Sequence, residues 1–234
     1  MCPPACVASE IFGSLCSKRR AVSDLKLIFN FQNLRKVLLE RSAGTQLKSN
    51  VKDEIARVLT VWTIGHSTRS SEEFIELLGA QEIELVSDVR AYPSSRRYSQ
   101  FNRQTLAQSL EVGGIGYQHL PVLGGRRTPA ANSKNTVWKN ASFRAYADYM
   151  ETESYELGIQ TLLRSAAEKR TAVMCAEAIW WKCHRSLIAD DLKSRGLKVL
   201  HIISETKLEE HPFTSAARIV KGKLSYRGLL EFEP

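Results

Sequence analysis

The sequence predicts an α/β domain: a single, mostly parallel sheet flanked by helices, preceded by a flexible extension. Three observations point to it. Short apolar runs alternate with amphipathic stretches from residue 58 onward. No Gly/Ser/Pro-rich linker or internal repeat interrupts residues 58–234. The longest apolar runs have the length of strands, too short to span a bilayer.

The regular pattern opens with Val58-Leu-Thr-Val-Trp-Thr-Ile64, a strand that runs into Gly65-His66-Ser67-Thr68. A helix follows, with Ser71 as its N-cap and acidic residues in its first turn. Ile83–Arg90 reads as the second strand, a Pro/Ser/Arg loop follows it, and a helix covers about 103–112. Gly116–Pro121 reads as the third strand. A polar Gly/Arg/Asn-rich excursion over 124–140 leads to helical segments at 143–151 and 155–168. The run 170–175 is a short apolar strand, 184–195 is an amphipathic helix closed by Gly196, and 198–203 is the last strand. Strands alternating with helices in this way give a Rossmann-like three-layer architecture over 58–234.

Residues 1–57 lack strand alternation and show one helical stretch around Asn33–Arg41, so they read as a flexible basic appendage. The chain carries +8 overall, which favours anionic partners. Residues 1–60 hold ten Lys/Arg against five Asp/Glu, so +5 lies there and the remaining 23 against 20 leave only +3. That distribution argues against a broad nucleic-acid surface on the main domain. The cysteines, at 2, 6, 16, 175 and 183, form no even framework, and no basic flank leads into an apolar leader. A reducing cytoplasm is the expected location, without a membrane partner.

The densest chemistry lies in Cys175-Ala-Glu177-Ala-Ile-Trp-Trp181-Lys-Cys183-His184-Arg185, at a strand-to-helix connection. Open α/β sheets bind ligands at such connections, outside the carboxyl ends of their strands. Two other strands end in Gly65-His66-Ser67-Thr68 and Asp88-Val-Arg90. If the three are parallel neighbours, imidazole, hydroxyl, carboxylate, guanidinium and thiol converge on one rim, as acid–base or nucleophilic chemistry requires.

Each group has two readings. Ser67 and its neighbours either cap a helix or present amides to an anion. His66 is a general acid or base or a hydrogen-bonded structural histidine. Asp88 and Arg90 share one side of an ideal strand and either form an internal ion pair or, with Arg96 and Arg126, hold phosphate or carboxylate. Glu177, beside two indoles, would have its pKa raised toward a general acid or base if they wall it, whereas indoles near a helix start also serve as core anchors. Cys175 is a nucleophile with lowered pKa or a buried structural thiol. Cys-x7-Cys-His lacks the short spacing of structural zinc sites, so no metal and no cofactor is expected. Residue 181 is Trp, which rules out a Cys-x5-Arg phosphate loop, and the glycine signatures of P-loops and dinucleotide folds are missing.

Thr63-Ile-Gly-His-Ser-Thr68, Asp88-Val-Arg90, Pro93-Ser-Ser-Arg-Arg97, Phe101-Asn102, His119-Leu-Pro-Val-Leu-Gly-Gly-Arg126, Phe143–Met150, Met174–Glu177 and Cys183-His-Arg185 resemble, in order over about 60–228, the domain of unknown function 488 family. The resemblance implies a compact α/β domain of the kind found in soluble prokaryotic proteins. It carries no reaction.

These residues favour an enzyme performing hydrolysis or group transfer on an anionic substrate that is nucleotide-like or derived from nucleic acid. His66, Asp88, Cys175 and Glu177 are the catalytic candidates. Ser67, Arg90, Arg96, Arg126 and Arg185 would hold the anion, and Tyr117, Trp138 and Trp181 would offer stacking surfaces. The alternatives are a non-catalytic nucleotide or nucleic-acid binding module and a buried polar network without a ligand.

Overall fold

The computed structural model describes residues 60–228. The expected extension, its helix around Asn33–Arg41, and Val58 and Leu59 of the first strand lie outside these residues. The described elements follow the expected alternation. They are β1 (Thr60–Gly65), α1 (Ser71–Gly79), β2 (Leu85–Asp88), α2 (Arg103–Val112), β3 (Gly116–His119), α3 (Ala141–Met150), α4 (Glu153–Glu168), β4 (Thr171–Cys175), α5 (Arg185–Ser194) and β5 (Lys198–Ile202). Three short strands complete the set: β6 (Leu208–Glu210), β7 (Arg218–Val220) and β8 (Lys223–Ser225).

The main sheet has the order β3-β2-β4-β1-β5-β6. Its first five strands are parallel and β6 is antiparallel to β5. β7 and β8 form a separate hairpin across Lys221-Gly222, both with positive φ. Successive side chains of a strand point to opposite faces, so the register divides the core. On one face Trp62, Ile64, Val86, Ala172 and Met174 pack against Phe74, Leu77 and Leu78 of α1 and Leu106 and Leu110 of α2. The other face is reached by α4, through Ser165 to Gln118 to Ser87, and by α5, through Arg185 to Thr63. Helices therefore cover both faces of a mainly parallel sheet, and α3 packs outside on α4 and α5. Among the described residues no helix is long and apolar enough to cross a membrane.

Local signals set several boundaries. α1 is capped one residue earlier than expected, by Ser70, whose hydroxyl accepts the Glu73 amide at 3.1 Å. Asn140 and Thr152 cap α3 and α4 in the same way, each satisfying amides of the first turn that lack an intrahelical partner. Burial of the apolar faces accounts for the rest of the helical stability.

Candidate functional site at the carboxyl edge

The ends of four parallel strands are level. Gly65 pairs with Cys175, while Asp88 pairs with Met174 and with His119. Beyond the sheet the backbone continues to pair: the His66 amide donates to the Cys175 carbonyl at 3.0 Å, and the Ser67 amide to that of Ala176 at 2.9 Å. The loop after β4 lies so close to the end of β1 that any Cβ at 65 would overlap the Glu177 carbonyl, which is why glycine stands there. The three strand ends singled out in the sequence are thus adjacent, but their side chains divide between the two faces.

On the α1/α2 face, Asp88 and Arg90 form a buried bidentate pair, with Arg90 Nε to Oδ1 at 2.9 Å and Nη2 to Oδ2 at 2.7 Å. Nη2 also donates to the Phe101 carbonyl, Nη1 lies 3.2 Å from His66 Nε2, and the Tyr117 hydroxyl donates to Asp88 Oδ2 at 2.8 Å. His66 Nδ1 faces its neighbour's carbonyl at Ser67, and the ring stacks on Phe101 with centroids 4.1 Å apart. Burial first, then the Arg90 charge, lowers the His66 pKa to about 4. The neutral ring carries its proton on Nδ1, so its one lone pair accepts from Arg90. Burial and the Asp88 carboxylate push the Tyr117 phenol above its usual range. Ser67 is held at φ 53°, a left-handed conformation that is uncommon outside glycine and that turns the chain from β1 toward α1.

On the α4/α5 face, Cys175 Sγ lies 4.0 Å and Cys183 Sγ 3.5 Å from His184 Nδ1. All three atoms fall within 4.8 Å of one another. Cys183 ends the single turn Trp180–Lys182, and His184 is the N-cap of α5. A hydrogen bond from Cys175 holds the Cys183 thiol well below its ordinary pKa, with His184 and Arg185 adding to the effect; the same bond, and burial, push Cys175 up.

Arg185 folds the intervening loop back. It is buried, donates Nη1 to Thr63 Oγ1 at 3.2 Å, and donates Nη2 to the Glu177 and Ala178 carbonyls. Trp180 anchors the same loop by stacking on His201 at 4.2 Å, so it lines the core and does not wall Glu177. Glu177 is exposed, with Oε1 accepting the Ile179 amide at 3.1 Å, and Trp181 is 53% exposed.

The loop after β3 reaches the thiol cluster, and the loop after β2 packs on it. Gly124 packs against Ala91, and a Cβ at Gly125 would come 2.5 Å from His184 Nδ1. The next residue, Arg126, is exposed, and its guanidinium lies over Tyr92 at 5.7 Å. Arg96, on the Ala91 loop, is also exposed. Arg127 is instead tied to the Gly124 and Val122 carbonyls and stacked on Tyr149 at 3.5 Å. Trp138 is not brought to the edge: it packs between Phe143 and Tyr226. A cavity of about 310 Å³, lined by Arg69, Glu73, Leu77 and residues 203–206, includes none of the expected site residues.

A further polar chain escaped the sequence reading. Arg185 donates to Thr63 Oγ1, Thr63 lies 2.7 Å from His201 Nδ1, His201 Nε2 2.9 Å from His211 Nδ1, and His211 Nε2 3.0 Å from Asp190 Oδ1. Asp190 also accepts from Thr214 and Tyr226. Donation running from Thr63 toward Asp190 satisfies every ring nitrogen with both histidines neutral, in keeping with burial lowering the His201 pKa to about 2. A histidine inside the apolar run Val199–Ile203 was the signal, since a buried imidazole needs partners.

The fold and this edge define the class: an open, mainly parallel α/β domain with a cysteine–histidine centre at the carboxyl ends of its strands. The family model described as "Domain of unknown function DUF488" matches residues 70–192, more than half of the 234-residue chain and including Cys175, Cys183 and His184. The chain belongs to that family. Neither curated proteins nor solved structures contain a match to it.

Proposed function

We propose that the protein is an enzyme that hydrolyses, or transfers a group from, an anionic substrate that is nucleotide-like or derived from nucleic acid. The reactive centre in this reading is Cys175, Cys183 and His184, with Glu177 as general acid or base. Arg126 and Arg96 hold the anion and Trp181 offers a stacking face. The observation that carries the proposal is the gathering of two sulfurs and an imidazole at the carboxyl edge of the sheet, with Gly125, the residue before exposed Arg126, packed against His184. His66, Asp88 and Arg90 take a positioning role, because their donors and acceptors are used on one another. Arg185 does the same from within the β4–α5 loop.

The test is a chromatographic turnover screen of nucleotides, short RNA and DNA, and small phosphate and carboxylate esters, with wild type, Cys183→Ser, Glu177→Gln and Arg126→Ala. The expected result is conversion of an anionic substrate that falls by about two orders of magnitude in Glu177→Gln, the scale of a lost acid–base group. Arg126→Ala should raise KM more than it lowers kcat. Conversion indifferent to Cys183 and Glu177 overturns the proposal, as does a folded wild type inert toward the whole panel. The exposed Trp181 and Arg126 favour one second reading, a binding module. It predicts salt-sensitive binding without turnover, unaffected by Glu177→Gln.

A further inference from the structure

We infer that Cys175, Cys183 and His184 form a three-ligand site for a zinc-class cation, with a fourth coordination position open. The inference rests on the proposed function only for the purpose of the site; occupancy is measured without any substrate. Sequence spacing argued against a metal because seven residues separate the cysteines. The fold removes that separation. Arg185 donates to the carbonyls of Glu177 and Ala178, Trp180 is anchored on His201, and the loop returns Cys183 to the end of β4.

The geometry fits a tetrahedral ion. With metal–sulfur bonds of about 2.3 Å and metal–nitrogen bonds of about 2.0–2.1 Å, the tetrahedral edges are about 3.6 Å for S–N and about 3.8 Å for S–S. The observed Cys183–His184 separation is 3.5 Å and that of Cys175–His184 is 4.0 Å. All three ligand atoms lie within 4.8 Å of one another, so closure asks for shifts of about 1 Å or less. Two sulfurs and one imidazole nitrogen suit zinc, and three protein ligands with an open position mark catalytic zinc sites, closed four-ligand sets the structural ones.

Two further observations define the surroundings. The Tyr146 ring, buried, stands 5.1 Å from that of His184 and forms the inner wall. Gly125 forms the outer wall, where a Cβ would press on the Cγ–Nδ1 edge of the imidazole. His184 Nε2 is buried without a partner among the described residues. The ring is thus held by packing, where metal-bound histidines are usually held by a hydrogen bond behind them.

The experiment uses the full chain, expressed in zinc-supplemented medium, with metal content measured by mass spectrometry and the apoprotein titrated with cobalt(II). The expected result is one zinc per chain and, with cobalt, a thiolate-to-metal charge-transfer band together with visible bands of tetrahedral intensity. Cys175→Ser, Cys183→Ser and His184→Gln should each weaken cobalt binding more than the roughly 10–100-fold that losing a partner behind a ligand costs. Gly125→Ala should weaken it too. A chain with Cys2, Cys6 and Cys16 all replaced by Ser should bind as wild type does. Circular dichroism checks that each variant is folded. Full cobalt binding by His184→Gln, or no metal in a protein whose Cys175 and Cys183 titrate as free thiols or form a disulfide, overturns the inference. Metal bound without turnover of any anionic substrate would sink the proposed function and leave the site standing.

Discussion

On one face of the sheet edge the polar side-chain atoms of His66, Asp88 and Arg90 all meet protein partners, whereas on the other face the sulfurs of Cys175 and Cys183 face each other and the imidazole of His184. The two clusters are joined by backbone hydrogen bonds and separated only by the thickness of the sheet. The first is closed: its donors and acceptors are used up and its ion pair is buried. The second keeps donor atoms that can serve a ligand, and Gly125 packs against its imidazole. Residues of catalytic type can therefore hold a site together, and in the proposed reading the capacity to react lies with neighbours whose valences remain open.

Substitutions should separate the two regions. The largest effect falls on the joint between them: Gly65→Val should cost more than about 4 kcal/mol, read by urea denaturation, because the new side chain overlaps the Glu177 carbonyl. A fully stable Gly65→Val would break the account of the edge. Next, Asp88→Asn leaves the Arg90 guanidinium buried without its counter-charge and should cost about 3–5 kcal/mol.

His66 sharpens the comparison through pH. Its folded pKa of about 4 lies below the ordinary 6.5, so the unfolded chain binds more protons between those values. Stability contributed by neutral His66 is complete above about pH 6.5 and is lost as pH falls toward 4, about 2 kcal/mol of it between pH 7 and 5. His66→Gln should lack that increment, measured as the difference in pH dependence between the two proteins. The smallest effect is expected at Glu177→Gln, within about 0.5 kcal/mol of wild type, since the side chain is exposed and its bond to the Ile179 amide survives as an amide oxygen.

Much of the fold is legible in the sequence because strand-length apolar runs and amphipathic helical periods act locally. β6 and the β7–β8 hairpin escape notice, each strand having only three residues and the turn being Lys-Gly in place of the stronger Asn-Gly signal. The alignment of the ends of β1, β2 and β4 on one edge is legible too. Its division is not. Period-two alternation tells which residues of one strand share a face, but the order β3-β2-β4-β1-β5-β6 decides which faces of different strands coincide. The approach of Cys183 to Cys175 depends on Arg185, Thr63 and His201; Thr63 lies 122 residues from Arg185 in sequence, and His201 lies on β5, beyond the loop that Trp180 belongs to. No local pattern encodes such contacts.

The claim that one face is scaffold and the other is the reactive centre is tested most directly by urea unfolding of metal-free Asp88→Asn and Cys183→Ser, side by side with wild type. The account predicts a loss of about 3–5 kcal/mol for Asp88→Asn and about 1 kcal/mol or less for Cys183→Ser, whose hydroxyl can still bond to its neighbours. Equal losses, or a larger one at Cys183, would contradict it.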